Sequence, residues 1–306
     1  MSQEEYHENI LDAVMERVRP HIGKGHVADY IPELGKVDPH RFGFALATVD
    51  GDIHSAGDVD IPFSLQSITK LFTLALVVSG SDDIWQRVHR EPSGSPFNSL
   101  YQLEFERGIP RNPLINPGAL VVTDQLLSDT GDAVGTLCDL LSRESGNPHL
   151  QVDEVTAHSE YLTGDRNRSL AYLMSDFGNI RNPVSEVLDH YFRQCAITVT
   201  TVELARIGLL LARHGVRADG SRMFSREAAR RIMAVMLTCG TYDAAGEFAF
   251  RIGLPCKSGV GGGILAVVPA RYSLAVWGPG LDPRGNSVAG ALALEAFTDI
   301  THLSVF

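Results

Sequence analysis

Ser67-Ile68-Thr69-Lys70-Leu71-Phe72-Thr73-Leu74-Ala75-Leu76-Val77-Val78, closed by Gly80, is the stretch around which the rest of the chain reads. A polar opening is followed by eight residues with one hydroxyl among them. Apolar residues on every side predict a helix buried all round. Ser67 and Lys70, three apart, then share a face within side-chain reach. Ser67 falls in the first turn, where free N–H groups and the helix dipole favour developing negative charge. Lys70 falls one turn in, where burial lowers an ammonium pKa and frees the amine to take a proton near neutrality. A hydroxyl, a desolvated amine and positive backbone dipoles are the parts of a Ser-Lys acyl-transfer site. The blander alternatives are a serine that only caps the helix and a lysine that extends its head to the surface.

Upstream, apolar residues at Ile10, Leu11, Val14 and Val18 predict a helix over 5–19, limited by Pro20. Val27 to Leu34 reads as a connector. Phe42 to Val49 predicts a strand, Asp50-Gly51 a hairpin turn, and a second strand follows through Ile53. Downstream, 81–90 predicts a short helix. From Glu91 to Gly118 the chain is rich in Pro, Gly, Asn and Ser, a loop long enough to be functional.

Helical patterns fill 119–235, at about 119–128, 133–144, 153–162, 167–176, 184–193, 201–213 and 225–236, with a capping box at Thr200-x-x-Glu203. Ile264–Val268 and Tyr272–Trp277 predict two strands joined by Pro269-Ala270-Arg271, and 286–302 a last amphipathic helix. Strands at both ends and helices between predict an α+β chain. Its antiparallel sheet, built from both termini (about 1–79 and 241–306), is flanked by helices, and an all-helical lobe (about 80–240) is inserted. The Ser67 helix sits at the junction, a preferred place for a pocket.

Lys257-Ser258-Gly259, before Val260-Gly261-Gly262-Gly263, is a second candidate motif. No Gly-Lys-Ser/Thr follows these glycines, so they do not form a P-loop. Glycines opening a strand point to close approach of another backbone or a ligand, and a Lys-Ser/Thr-Gly strand accompanies Ser-x-x-Lys in known serine enzymes. A bulge with a surface lysine is the plainer reading. Between 158 and 168, Asp165, Arg166 and Arg168 read as salt-bridged helix surface, whereas Glu160 and Asn167 are candidates to bind an ammonium or a carboxylate.

Composition sets the outer bounds. The 306 residues are 44% hydrophobic and 21% charged, ordinary for a soluble globular chain, and form one large or two modest domains. A net charge of −11 argues against a broad nucleic-acid surface. The acidic, polar start Met1-Ser2-Gln3-Glu4-Glu5 does not resemble a signal peptide, and no apolar run is long enough to span a bilayer. Cys138, Cys195, Cys239 and Cys256 are far apart without C-x-x-C spacing, which predicts reduced, intracellular thiols. The 11 histidines show no ligand pair, so no metal site is expected.

From about Val27 onward the chain resembles the serine-dependent glutaminases, of the bacterial kind related to the catalytic domain of the animal kidney and liver enzymes. The resemblance is carried by ordered blocks: Asp29-Tyr30-Ile31-Pro32-Glu33-Leu34; Gln66 to Lys70; Phe97-Asn98-Ser99; Asn112 to Asn116; Ser159-Glu160 with Thr163 to Asn167; Tyr191 to Cys195; Gly240-Thr241-Tyr242; and Lys257 to Ile264. Any one block is weak; their joint order is very specific.

The resemblance implies a single domain of β-lactamase-like fold that hydrolyses the side-chain amide of L-glutamine to L-glutamate and ammonia, without a cofactor. It also implies Ser67 as nucleophile, Lys70 as its activator, and the backbone N–H groups of Ser67 and Val260 as the oxyanion hole. Tyr242 is implied as a proton-transfer partner, and Tyr30, Asn116, Glu160, Asn167 and Tyr191 as substrate-holding residues. Lys257 is expected just behind them. A cytoplasmic homodimer or homotetramer is expected on the same basis.

The chain departs from the family pattern at Pro117, at Ala196 and at Cys256. The last of these is expected to place a thiol near the site, where a thiol-directed reagent should inhibit and glutamine protect. Two rivals are weighed. A penicillin-interacting serine hydrolase shares both lysine motifs, but its middle Ser-Asp-Asn or Tyr-x-Asn motif is not evident. A non-catalytic binding protein on the same fold predicts loss of Ser67, Lys70 or Tyr242, and all three are present.

Overall fold

The protein's structure, a computed structural model, describes residues 3–94 and 97–306. Met1 and Ser2 of the acidic start, and Ser95 and Pro96 of the Pro-rich stretch, lie outside them. The chain opens with helix α1 (Gln3–Val18) and the hairpin β1 (Gly43–Thr48) and β2 (Ile53–Gly57), as the alternation and Asp50-Gly51 predict. A two-residue strand β3 (Phe63–Ser64) leads through a 3-10 turn (Gln66–Ile68) into α2 (Thr69–Gly80). A 3-10 turn (Asp82–Gln86) and a short helix α3 (Leu100–Phe105) follow.

Five helices come next: α4 (Asn116–Thr130), α5 (Ala133–Ser145), α6 (Glu154–Thr163), α7 (Asp165–Asp176) and α8 (Val184–Cys195). After β4 (Thr198–Val199) the chain forms α9 (Thr201–Ala212), α10 (Arg226–Cys239) and α11 (Ala245–Arg251). It closes with β5 (Cys256–Ser258), β6 (Gly263–Val268), β7 (Tyr272–Trp277) and α12 (Val288–Thr301).

The main sheet is antiparallel in the order β2-β1-β7-β6-β5, so strands from the two ends of the sequence pair directly, Phe44 opposite Val276 and Thr48 opposite Tyr272. β1 and β6 are buried at every residue, because helices cover both faces. Alternation along each strand divides the interior in two. Phe44, Leu46, Ile264, Ala266, Leu274 and Val276 face α1 and α12, meeting Ile10, Val14, Leu294 and Phe297. Ala45, Ala47, Leu265, Val267 and Ala275 face the larger core that includes α9 and α2.

Small residues on that second face let α9 approach closely. A Cβ on Gly208 would meet the Ser273 hydroxyl at 2.1 Å. α9 therefore packs on the sheet, although its sequence position falls within the stretch read as helical lobe. Its capping box forms as the sequence predicts.

α2 is buried nearly all round, from Thr69 to Ala75 without interruption. Its position between β5, α4 and α10 at the sheet–lobe junction makes it the central rod of the molecule. At about 1.5–3 kcal/mol for each large apolar side chain removed from water, this one helix anchors both halves.

Candidate active site

Ser67 differs from its sequence reading in one respect. It lies in the 3-10 turn that precedes α2, not in the first turn of the α-helix itself. It is not a cap: no side chain caps either helix start, and the Ser67 hydroxyl lies beside the Tyr242 phenol, whose pKa it lowers. Gln66, directly before it, has φ +51°, and Tyr242 has φ +59°. Two non-glycine residues in the left-handed region, one on each side of the serine hydroxyl, store about 1–3 kcal/mol of strain each, the sort of backbone found at ligand clamps.

The β5–β6 turn presses against this serine from the other side. A Cβ on Gly259 would come within 2.5 Å of the Leu65 carbonyl and 3.3 Å of the Ser67 nitrogen. The close backbone approach inferred from the glycine run is thus real, and its partner is the Ser67 turn. Among the described residues, neither the Ser67 nor the Val260 amide is paired with a backbone carbonyl.

Lys70 is buried, and its Nζ donates to Asn116 Oδ1 at 2.6 Å; Asn116 Nδ2 in turn donates to Asn167 Oδ1 at 2.9 Å. Burial pushes the Lys70 ammonium down to about 8, with the nearby Cys195 and Glu160 pulling the other way. Lys257 lies behind Tyr242, not on the surface. Its Nζ sits 4.7 Å from the Tyr242 ring centroid and donates to Gly240 O (2.9 Å) and Ser258 O (2.6 Å). Burial first, then the Lys70 charge, push its ammonium well down. Tyr242 OH also donates to Ser258 O at 3.4 Å, and burial raises its phenol to about 12.

Beside these groups lies a cavity of about 290 Å³; Ser67 and Asn116 line it, whereas Lys70, Tyr242 and Lys257 stand behind its wall. Its walls include Tyr30, Ser67, Asn116, Glu160, Asn167, Tyr191 and Val260, so the structure brings together residues spread over most of the sequence. Glu160 is buried there, and desolvation pushes its carboxyl up to about 8, against the Gln66 hydrogen bond and the Lys70 charge.

Among the wall residues that had no place in the sequence reading of the site are Gln66, Cys195 and Phe97. Phe97 packs on the Tyr242 ring at 4.9 Å between centroids. Cys195 carries a usable signal, standing four residues after Tyr191 on one face of α8. Arg166, read as helix surface, lines the cavity, whereas Arg168 does bridge to Asp165 at 3.0 Å.

Cys256 is the clear correction. It alternates with Lys257 along β5 and points into the α1–α12 core, away from the cavity. The thiol at the site is Cys195. All four cysteines are free. Among the described residues no group of three or more His, Cys, Asp or Glu is placed to hold a metal ion, and no helix is long and apolar enough to cross a membrane.

A buried serine beside a tyrosine, a buried lysine three residues on and a Lys-Ser-Gly strand alongside come together at one cavity. The Glutaminase family model matches residues 25–306. A glutaminase of Streptomyces coelicolor is 59% identical over 298 residues, 97% of each chain. The solved probable glutaminase of Bacillus subtilis superposes with a TM-score of 0.89 at 32% identity, over 99% of this chain and 98% of that one. The Bacillus protein complexed with 6-diazo-5-oxo-L-norleucine gives 0.87 at 32%, over 98% and 96%. The chain belongs to the glutaminase family, and its fold is the β-lactamase-like one.

Proposed function

We propose that this chain hydrolyses the side-chain amide of L-glutamine to L-glutamate and ammonia through an acyl-enzyme on Ser67. The observation that carries the reading is the Ser67 hydroxyl at the wall of a cavity that Glu160 and Asn116 also line, with the buried Lys70 behind it donating to Asn116. Ser67 Oγ attacks the amide carbon and its proton passes to Lys70. The oxyanion is received by the Ser67 and Val260 amides; one such donor is worth ~10²–10³ in rate. Tyr242 relays a proton to the departing ammonia, and water then cleaves the ester by the reverse route, restoring Ser67.

Glu160 offsets the substrate's α-ammonium. Asn116, Asn167, Tyr30 and Tyr191 supply donors for its α-carboxylate. Lys257 holds the turn that carries Tyr242. The inhibitor bound by the Bacillus relative, a glutamine-like diazo ketone, accords with this assignment.

Ammonia and glutamate release from L-glutamine by the purified protein tests the proposal. Ser67→Ala is expected to lose at least ~10⁴-fold in kcat while still binding glutamine by calorimetry. Full turnover in that variant overturns the nucleophile. We also infer a cytoplasmic homodimer or homotetramer. The four free thiols accord with a reducing compartment, and exposed apolar side chains such as Tyr101, Phe105 and Tyr172 accord with a self-association surface; sedimentation velocity reading only monomer refutes the assembly.

A further inference from the structure

A buried hydrogen-bond chain enters the cavity wall from the small β3–β4 sheet. Ser64, fixed in β3 opposite Thr198, donates its Oγ hydrogen to Cys195 O at 2.8 Å. Its oxygen can then only accept, and Gln66 Nε2 donates to it at 2.9 Å. The second Nε2 hydrogen goes to Glu160 Oε1 at 2.6 Å. Ser64, Gln66, Glu160 and Cys195 are all buried, the last three of them at the cavity wall.

Every donor in this chain has one acceptor, and the directions lock one another. Turning the amide over would set Gln66 Oε1 against a carboxylate oxygen on one side and, on the other, against a hydroxyl whose only hydrogen is committed. The strained φ of +51° at Gln66 aims the amide at both partners.

We propose that Gln66, oriented by Ser64, is a positioning residue that holds Glu160 as a carboxylate and so makes the site demand a substrate with a cationic α-ammonium. The inference rests on the glutamine-hydrolysing reading above.

The surroundings explain why such a device is needed. The Lys70 ammonium, the Cys195 thiol, the Tyr30 and Tyr191 phenols and the Arg166 guanidinium line or border the same cavity as Glu160. Of these, Lys70 is the cation that supports the carboxylate electrostatically. Lys70 must be neutral to accept the Ser67 proton, and that support then vanishes. Burial alone favours the protonated acid. The Gln66 donor is what remains to favour the anion, in the same alkaline range in which Lys70 is neutral, until the substrate's ammonium arrives.

The test is steady-state kinetics of Ser64→Ala and Gln66→Met with L-glutamine and with glutaramate, which keeps the carboxylate and the side-chain amide but lacks the ammonium. The wild type is expected to prefer glutamine by ~10²-fold or more in kcat/KM, the scale of a buried charge pair left without its partner. In both variants that preference should fall about tenfold, with the loss in KM rather than in kcat. The acid limb of kcat/KM for glutamine should also move up by about one pH unit, while the limb for glutaramate, set by Lys70, stays in place.

A wild-type preference retained in the variants, or equal losses toward both substrates, overturns the inference and leaves a structural role. Ser64→Ala removes a single oxygen and decides the matter alone if Gln66→Met does not fold. Wild-type protein inert toward glutamine refutes the underlying function instead, so the two failures are distinguishable.

Discussion

Two lysines lie buried near the same site, and their partners differ in kind. On β5, Lys257 gives its hydrogens to two backbone carbonyls, Gly240 O and Ser258 O. A neutral amine has two N–H groups, so this environment uses both donors of the uncharged form and ties it to the backbone. On α2, Lys70 meets one side-chain oxygen, that of Asn116, which is itself tied to Asn167. It stands three residues after Ser67, at the start of the helix that the Ser67 turn leads into. Burial depresses both ammonium groups, so the pKa shift does not distinguish them. What distinguishes them is that one lysine is tied to the backbone and holds the Tyr242 turn, while the other is left with capacity to take up and return a proton.

The comparison breaks if the two prove interchangeable. The largest expected effect is at Lys70. Lys70→Met should lower kcat by ~10²–10⁴, the range for removing a general base. In the wild type, kcat/KM should climb with pH up to about 8, where Lys70 loses its proton; a flat profile from about pH 6 to 9 would show that Lys70 is not the base.

Stability should respond to Lys70→Met in the opposite direction to activity. The folded pKa of Lys70 lies below that of a free lysine, so its burial weakens the fold fully below pH about 8, and this penalty disappears as pH rises toward the unfolded value. Lys70→Met should therefore melt no lower than wild type at pH 7, with any advantage shrinking toward pH ~10.

Lys257→Met sharpens the contrast from the other side. It takes one of two hydrogen bonds from each of two buried carbonyls, at about 0.5–1.5 kcal/mol each, so the melting temperature should fall in calorimetry, with a smaller loss of kcat of ~10–10² through a loosened Tyr242. A variant that keeps its stability but loses all activity would place Lys257 among the reacting groups.

The smallest expected effect is at Cys256. Sealed in the α1–α12 core, with its thiol pKa pushed well up by burial, it should resist iodoacetamide in the native protein. Mass spectrometry finding it alkylated in active enzyme would show that the β5 strand opens.

Much of this was legible in the sequence wherever a pattern ran long enough to declare a period. The seven middle helices and strands β1, β6 and β7 fall where spacing and turn residues put them. β3 and β4, two residues each, carry no period at all, and α3 and α11 are too short to show one. Three-residue β5 hides which face Cys256 and Lys257 take, so the thiol was expected on the wrong side. α9 looks like its helical neighbours in sequence, and only its tolerance for a sheet at close range, through Gly208, sets it apart.

At the site, chemistry-bearing residues such as Ser67, Lys70 and Glu160 could be read from type and order. Ser64 and Gln66 could not, because a serine in a two-residue strand and a glutamine in a turn reveal a role only through the direction of their hydrogen bonds.

The pairing of β1 with β7 has a consequence for how the protein is made. β1 leaves the ribosome early, yet its central-sheet partner emerges only after the whole helical middle has been synthesised. Until then the β1–β2 hairpin has one edge bare, and the stretch carrying Tyr242, Lys257 and Val260 does not exist. The helices, rich in near-neighbour contacts, can settle first, while the sheet must wait for a closure between distant parts of the chain, the slow kind of step. The nascent protein therefore passes through a long interval in which Ser67 is already in place but its surroundings are not, and activity arrives late and all at once, with the final strands.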